Sequence, residues 1–186
     1  MNLSRFALLS LLALPLSAAG NDPAFGFEAT GSVVIASQDT NRLLSNNNLA
    51  GTILGVGFRA QIHPGLNHRL HLNLMGLKAA QDTGMSGAAP KHLVFGWDIM
   101  QDVGKWSFFG GVMGVKWKQD IQADTAPKYQ GLRGEPKGTK FGARIGAEYA
   151  HTPNLHSTFS YNQTEFNRDI NPGWWGVGLT YRFGGW

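Results

Sequence analysis

The chain has 186 residues, a formal net charge of +4 at pH 7, no cysteine and 25 glycines. This length indicates one domain, and the lack of cysteine excludes a disulfide framework, a thiolate metal site and a lipid-modified N-terminal cysteine. Lysine and arginine are scattered rather than clustered, which argues against nucleic-acid binding. Glycine at this frequency argues against a helical protein, because each interior glycine costs about 1 kcal/mol in a helix.

Residues 1–20 have the pattern of an export signal. Arg5 supplies the positive charge, Phe6–Leu16 is apolar, and small residues follow up to Gly20. The apolar stretch is too short to span about 30 Å of hydrocarbon. The pattern therefore predicts a signal peptide cleaved after Ala19 or Gly20, and a single mature domain over residues 21–186.

The rest of the chain alternates apolar and polar residues with a period of two, which predicts strands. Eight segments show the alternation: 25–36, 51–62, 68–79, 92–102, 106–118, 140–150, 155–166 and 173–183. In the last of them, Trp175, Val177, Leu179, Tyr181 and Phe183 share one face. Segments of about ten residues have the length of a tilted strand that crosses a bilayer.

The connections between these segments alternate strictly between short and long. Tight turns are predicted at 63–67, 102–105 and 152–154, and longer polar connections at 37–50, 80–91, 119–139 and 167–172. In an up-and-down barrel, this order places all the tight turns and both chain termini at one end. The sequence therefore predicts an all-β, eight-stranded, antiparallel, up-and-down transmembrane barrel.

The aromatic-rich last strand ends Leu179-Thr-Tyr-Arg-Phe183, and the mature chain resembles the small outer-membrane barrels of the OmpA/OmpX type over nearly its whole length. The resemblance implies a monomer in the outer membrane of a Gram-negative bacterium, in contact with the bilayer and lipopolysaccharide. It also implies assembly by periplasmic chaperones and the barrel-assembly machinery through a C-terminal signal. That signal would comprise Leu179, Tyr181, Phe183 and Trp186; since Gly184, Gly185 and Trp186 follow Phe183, it ends at either Phe183 or Trp186.

The apolar face of the strands is expected to meet lipid, because a closed barrel satisfies its backbone internally. Aromatic residues near the strand ends predict interfacial girdles. The girdle at the end of the tight turns comprises Phe25, Phe27, Tyr149, Tyr181 and Phe183, and the girdle at the other end comprises Trp117, Phe141 and Trp175.

The opposite face is expected to fill a narrow lumen. Its predicted ionic cluster comprises Glu28, Arg59, Asp98, Arg144, Glu148 and Arg182, with all but Arg144 in the half nearer the tight turns. Closure between the first and last strands should bring Glu28 near Arg182. Inward glycines, among them Gly110 and Gly114, are expected to make room for Trp106, Phe108 and Trp174. The nearly balanced charges favour an ionic plug over an open conduit.

Three functions are consistent with such a barrel. The leading hypothesis is a non-enzymatic outer-membrane protein that contributes to envelope structure or surface contact. A lipid A acyl hydrolase or acyltransferase is the first alternative, but the His-x-Ser pattern of the deacylase barrels is absent here, since Thr158 lies two residues after His156. We interpret His156, Thr158, Ser160 and Asn162 as a polar row in the lumen. A secreted, lipocalin-like ligand-binding barrel is the second alternative. No catalytic residue, metal or cofactor is predicted; His68 and His71, three apart in a strand, point to opposite faces.

Overall fold

The computed structural model of the protein describes residues 25–43, 49–79, 92–117, 138–165 and 171–183. The predicted signal peptide and Trp186 lie outside these residues. Within them, no helix is long and apolar enough to cross a membrane.

Eight antiparallel strands form a closed barrel, in which each strand pairs with its neighbours in sequence and the last pairs with the first. The strands are β1 (Phe25–Ala36), β2 (Leu49–His63), β3 (Leu66–Ala79), β4 (His92–Val103), β5 (Trp106–Lys116), β6 (Thr139–Ala150), β7 (Leu155–Thr164) and β8 (Gly173–Phe183). The predicted fold class and strand count are therefore confirmed.

The predicted long connection at 37–50 includes a short helix, α1 (Gln38–Leu43). The Ser37 hydroxyl accepts a hydrogen bond of 3.4 Å from the Thr40 amide, as a serine at a helix N-cap does. The Thr40 hydroxyl in turn donates to the Gly173 carbonyl over 2.7 Å. This contact ties α1 to the start of β8.

The three tight turns lie at one end of the barrel, here named the turn end; the opposite end is the loop end. Gly65 and Gly104 have positive φ angles of 77° and 63°, which glycine adopts without the steric cost of a Cβ atom. The Asp102 amide donates to the Gly65 carbonyl over 2.6 Å, and the Ala150 amide donates to the Lys105 carbonyl over 2.8 Å. These bonds join neighbouring turns into one rim.

Large apolar side chains cover the outside of the barrel wall. They include Leu54, Val56, Leu70, Leu72, Leu74, Ile145, Val177 and Leu179, all of which are exposed. A water-soluble protein rarely leaves so large an apolar surface uncovered. The outer wall thus has the character of a surface that contacts lipid.

Six of the predicted girdle residues point outward and are exposed: Phe25, Phe27, Phe141, Trp175, Tyr181 and Phe183. Tyr149 is half-buried, because its ring packs against Trp106 with centroids 5.0 Å apart. The prediction for Trp117 is wrong. Its side chain is 3% exposed and packs inside the barrel against His92, with ring centroids 4.7 Å apart.

The error at Trp117 extends to the whole of β5, whose two faces are the reverse of those predicted. Trp106 and Phe108 are exposed on the outside, and Gly110 and Gly114 share their face. Apolar residues and glycines occur on both faces of β5, so alternation alone does not tell its inside from its outside. The tight turn between β4 and β5 fixes which face of β5 points outward. It pairs Trp106 with the outward-pointing Val103, and directly paired residues share one face.

Val177 tests the assignment of the outer face. It lies midway along β8, paired with Val33 and Phe159. We expect Val177→Arg to lower the free energy of unfolding by about 2–4 kcal/mol, because an arginine at the bilayer midplane faces hydrocarbon. Urea titration of protein refolded in lipid vesicles measures this loss.

Gln163→Arg provides the control for Val177→Arg. Gln163 is an exposed residue on the outside near the loop end of β7, where arginine costs about 0–1 kcal/mol. Equal losses for the two variants would show that the wall around Val177 does not contact hydrocarbon.

Candidate functional site

The inward side chains divide the lumen into two layers of different chemistry. The ionic layer lies towards the turn end and comprises Glu28, Arg59, Arg69, Asp98, Asp102, Arg144, Glu148 and Arg182. The apolar layer lies towards the loop end and comprises Val34, Ala36, Met75, Leu77, Val94, Met113, Val115, Trp117 and Trp174. The ionic layer has four arginines and four carboxylates, so its formal charges cancel.

Arg69 on β3 is the centre of the ionic layer. Its guanidinium donates to Asp98 with an Nε–Oδ2 distance of 2.9 Å and to Glu28 with an Nη1–Oε1 distance of 3.3 Å; it also donates to Glu148. The three carboxylates come from β1, β4 and β6, and all four side chains are buried. A buried charge is tolerated when partners of opposite sign surround it. Here the Arg69 guanidinium forms ion pairs with three carboxylates across the lumen.

Arg182 lies opposite Glu28 in the β1–β8 pairing, but its shorter ion pair is with Glu148 on β6. Arg182 Nη2 donates to Glu148 Oε2 over 2.6 Å, whereas Arg182 Nε lies 3.9 Å from Glu28 Oε2. Glu28, Arg69, Glu148 and Arg182 thus form a ring of alternating charges. The strand pairing places Glu28 opposite Arg182, as closure between the first and last strands predicts. Across the lumen, however, Arg182 lies closer to Glu148 than to Glu28.

A second group within the ionic layer lies nearest the turns. Arg59 Nη2 donates to both carboxylate oxygens of Asp102, over 2.8 and 2.7 Å. Asn67 Nδ2 donates to Asp102 Oδ2 over 2.8 Å, and the Ser107 hydroxyl donates to Oδ1 over 2.5 Å. Because Asp102 closes the β4–β5 turn, this group connects the lumen to the rim.

Arg144 lies furthest from the turns within the ionic layer. Its Nε is 3.6 Å from Asp98 Oδ1, and its Nη1 donates to His71 Nε2 over 2.9 Å. The Phe109 ring contacts two guanidinium groups, with its centroid 4.8 Å from Arg144 Cζ and 4.4 Å from Arg69 Cζ. Cation–π attraction stabilises a cation beside an aromatic ring, so Phe109 contributes to holding both arginines in the lumen.

Inward glycines make room for the polar side chains of neighbouring strands. A Cβ atom at Gly57 would lie 2.7 Å from Glu28 Cγ, one at Gly96 would lie 2.7 Å from His71 Nε2, and one at Gly111 would lie 2.4 Å from Asp98 Oδ1. Glycine at these positions is therefore what allows three large polar side chains to fold into a narrow lumen.

Gly110 and Gly111 give a matched test of this role, since they are neighbours on opposite faces of β5. We expect Gly111→Ala to lower the free energy of unfolding by about 1–3 kcal/mol, because the new methyl group would lie 2.1 Å from the Trp97 carbonyl oxygen and 2.4 Å from Asp98 Oδ1. Gly110→Ala should change it by less than about 0.5 kcal/mol, because the nearest atoms to a Cβ there are 3.9 Å away. Urea titration in vesicles compares the two variants; equal losses would contradict the role of Gly111.

The ring of charges predicts which pairs are energetically coupled. In double-mutant cycles, Arg182→Leu with Glu148→Leu should show a coupling free energy above about 1 kcal/mol, because their contact is direct and buried. The cycle of Arg182→Leu with Glu28→Leu should give a smaller value, because that separation is longer. Refolding in lipid vesicles measures both cycles. A larger coupling with Glu28 would mean that Arg182 binds chiefly across the β1–β8 seam.

Trp174 is one of two tryptophans in the apolar layer and is fully buried. Between it and the ionic layer lies a cavity of about 30 Å³, which has room for roughly two waters. Its polar lining includes Thr30, Ser32, Thr158, Ser160 and Asn162. The lumen is thus filled by side chains at both levels, with a small polar space between them.

The polar row of β7 faces the lumen and comprises His156, Thr158, Ser160 and Asn162. His156 is buried, with Nε2 3.2 Å from the Pro153 carbonyl; the Thr158 and Thr180 hydroxyls are 2.8 Å apart; and Asn162 donates to the Ser160 hydroxyl over 3.1 Å. None of these four side chains of β7 points towards lipid. Within the described ranges, no group of three His, Asp or Glu side chains is arranged to hold a metal ion.

The predicted ionic cluster omits two residues that the structure places in the ionic layer, Arg69 and Asp102. A signal for Arg69 is present in the sequence, because Leu70, Leu72 and Leu74 point outward and the alternate positions 69, 71 and 73 must point inward. Asp102 is harder to recognise, since it stands where β4 runs into a turn.

Comparisons with known proteins agree with this architecture. The family described as "Outer membrane protein beta-barrel domain" matches residues 6–183 of the chain. No curated protein sequence matches at a significant level.

Several solved structures are similar in fold. The attachment invasion locus protein Ail of Yersinia pestis is 12% identical, with 88% of this chain and 100% of that chain covered and a TM-score of 0.46. Neisserial surface protein A is 14% identical, with 88% and 100% covered and a TM-score of 0.45. The N-terminal β-barrel domain of Pseudomonas aeruginosa OprF is 11% identical, with 84% and 97% covered and a TM-score of 0.48.

The family match spans the eight strands that form the closed barrel. The chain therefore belongs to the outer-membrane β-barrel domain family.

Proposed function

We propose that the protein is a non-enzymatic barrel with a plugged lumen, which contributes to envelope structure or surface contact rather than transport. The observation that carries this proposal is the filling of the lumen at two levels. The ionic layer crosses the lumen from β1, β4 and β6 to Arg69, and the apolar layer packs around Trp174. An ion crossing the barrel would have to displace both layers.

The direction of the side chains argues against a lipocalin-like carrier. Such a carrier turns its apolar face inward around a ligand, whereas here residues such as Leu72 and Val177 point outward and the centre of the lumen is occupied by charges. The cavity of about 30 Å³ is far below the roughly 300–1,000 Å³ of small-molecule sites.

The geometry also argues against a lipid A hydrolase. Such an enzyme needs a nucleophile and a base that face lipid at the outer rim, and the β7 row of His156 and Ser160 faces the lumen. A hydrogen-bonded His–Ser pair does lie on the outer wall, with His151 Nε2 2.7 Å from Ser157 Oγ. That pair stands at the turn end, which in this proposal faces the periplasm and is remote from lipid A.

The route to the membrane is part of the proposal. The chain would be exported by the signal peptide of residues 1–20, cleaved after Ala19 or Gly20, escorted by periplasmic chaperones and inserted as a monomer by the barrel-assembly machinery. Leu179, Tyr181 and Phe183 alternate along the exposed face of β8, which supports their role in an assembly signal that a membrane-embedded machinery reads. The contribution of Trp186 is part of the same proposal.

Two measurements test the proposed function. In planar bilayers, the refolded wild-type barrel should give no steady single-channel currents; large, lasting currents would refute the plug. In cell fractionation, the protein should be recovered in the outer membrane and show heat-modifiable mobility on unboiled gels. Recovery in the soluble periplasmic fraction would refute the location, and a mature mass that retains residues 1–20 would refute the cleavage.

A further inference from the structure

The outer wall over β4, β5 and β6 carries an apolar groove of about 690 Å³. Its outward-pointing lining residues are Leu70, Phe95, Trp97, Val112, Gly114 and Phe141. Because this wall contacts lipid, the groove is open to hydrocarbon chains rather than to water.

The groove exists because β5 presents small residues between two strands that present large ones. The strand pairing places Val112 beside Trp97, and it places Gly114 between Phe95 and Phe141. Val112 forms the floor, and the aromatic rings form the sides, with the Phe95 ring lying over Gly114. A channel of this shape fits a linear alkyl chain better than a bulky side chain of another protein.

The Trp97 ring forms one side of the groove and is held in position by His68 without a ligand. The indole Nε1 of Trp97 donates to His68 Nδ1 over 2.9 Å, and the two rings stack with centroids 5.1 Å apart. The polar N–H is thereby satisfied on an apolar wall, and the ring loses little freedom on binding. Such preorganisation favours affinity.

A lysine stands at the loop end of the groove. Lys116 is exposed and lies two residues beyond Gly114 on the same face of β5, which places it about 7 Å further along the strand. Glu165 lines the groove on its β6–β7 side, with its amide bonded to the Phe141 carbonyl over 3.0 Å. An anionic head group would therefore lie on the Lys116 side.

We propose that this groove binds one acyl chain of lipid A, with a lipid A phosphate at the Lys116 ammonium group. The assignment to lipid A rests on the proposed function, which places the loop end of the barrel in the outer leaflet. A second apolar depression of about 580 Å³ lies over β5 to β8, and none of its described lining residues is charged. The combination of an apolar groove and a cation at its end favours the first depression.

Two outward glycines of β5 allow a controlled test. Gly114 lines the groove, and a Cβ there would lie 2.4 Å from the tip of the Phe95 ring, so Gly114→Leu would push that ring into the groove. Gly110 is outward on the same strand with no atom nearer than 3.9 Å to a Cβ, so Gly110→Leu is the matched control. Val112→Phe is a second groove-filling variant, should Gly114→Leu fail to show heat-modifiable mobility.

The measurement uses barrels refolded in phosphatidylcholine nanodiscs that contain purified lipid A as a minor component. Native mass spectrometry of the released barrel counts the lipid A molecules retained. Filling the groove should reduce retained lipid A by about tenfold, since several buried methylene groups lose their contacts, while Gly110→Leu should leave it unchanged. Lys116→Gln should reduce retention of lipid A by about fivefold and leave that of phosphatidylcholine unchanged.

Each contrary outcome overturns a stated part of the proposal. Equal retention by the Gly110→Leu and groove-filling variants would show that the groove is not the binding site. Loss on groove filling without any effect of Lys116→Gln would show that the groove takes alkyl chains without selecting lipid A. Ion conduction by the barrel, or its recovery outside the outer membrane, would refute the proposed function and leave the nanodisc result unaffected.

Discussion

Arg69→Met is expected to be the most damaging single substitution in the barrel, with a loss of about 3–5 kcal/mol in the free energy of unfolding or a complete failure to refold. Arg69 contacts Glu28, Asp98 and Glu148. Methionine keeps much of the side-chain volume and removes the charge. The three carboxylates would then be buried with too few cations, and desolvation of an unpaired charge is costly.

Refolding in lipid vesicles followed by urea titration measures the effect of Arg69→Met. Arg59→Met is the control, because Arg59 binds Asp102, whose carboxylate side chain is 33% exposed and remains in contact with water. Adding Glu148→Gln to Arg69→Met should recover part of the loss, since it removes one of the unpaired charges. Equal losses for Arg59→Met and Arg69→Met, or no recovery in the double variant, would mean that Arg69 is not the centre of the ionic layer.

Trp174→Ala is expected to be the second most damaging change. The Trp174 ring is fully buried in the apolar layer, and replacing a buried tryptophan by alanine typically costs about 3–5 kcal/mol. The space vacated adjoins the polar cavity that Thr30, Ser160 and Asn162 line. Water should therefore enter the vacated space. Because the ionic layer remains in place, the variant should lose stability in urea titration and still give no steady ion currents in planar bilayers.

Trp175→Ala is the matched control, because the two tryptophans are neighbours in β8 and point to opposite sides of the wall. Trp175 is exposed and packs only against the outer surface near Tyr161, with ring centroids 4.6 Å apart. Removing its ring should lower the free energy of unfolding by less than removing the ring of Trp174. Equal losses for the two variants in urea titration would mean that Trp174 does not stabilise the interior of the barrel.

The amino-acid sequence by itself determined the number of strands, their approximate bounds and the end of the barrel at which each connection lies. Periodicity of two is a local property, and the tight turns at Gly65 and Gly104 are local as well. The same local rules place Glu28, Arg59, Asp98, Arg144, Glu148 and Arg182 inside, because each stands between apolar neighbours that face lipid.

The facing of β5 follows from the pairing of Val103 with Trp106 across the turn at Gly104; alternation alone could not place Trp106 and Trp117, because both faces of β5 carry apolar residues and a shift of one residue inverts them. Only the tertiary structure decided the partners within the lumen. Arg69 binds acids from three strands, and Arg182 binds Glu148 more closely than its register partner Glu28. Such contacts cross the lumen, so they depend on how the closed barrel staggers its strands, which no single segment of the sequence encodes.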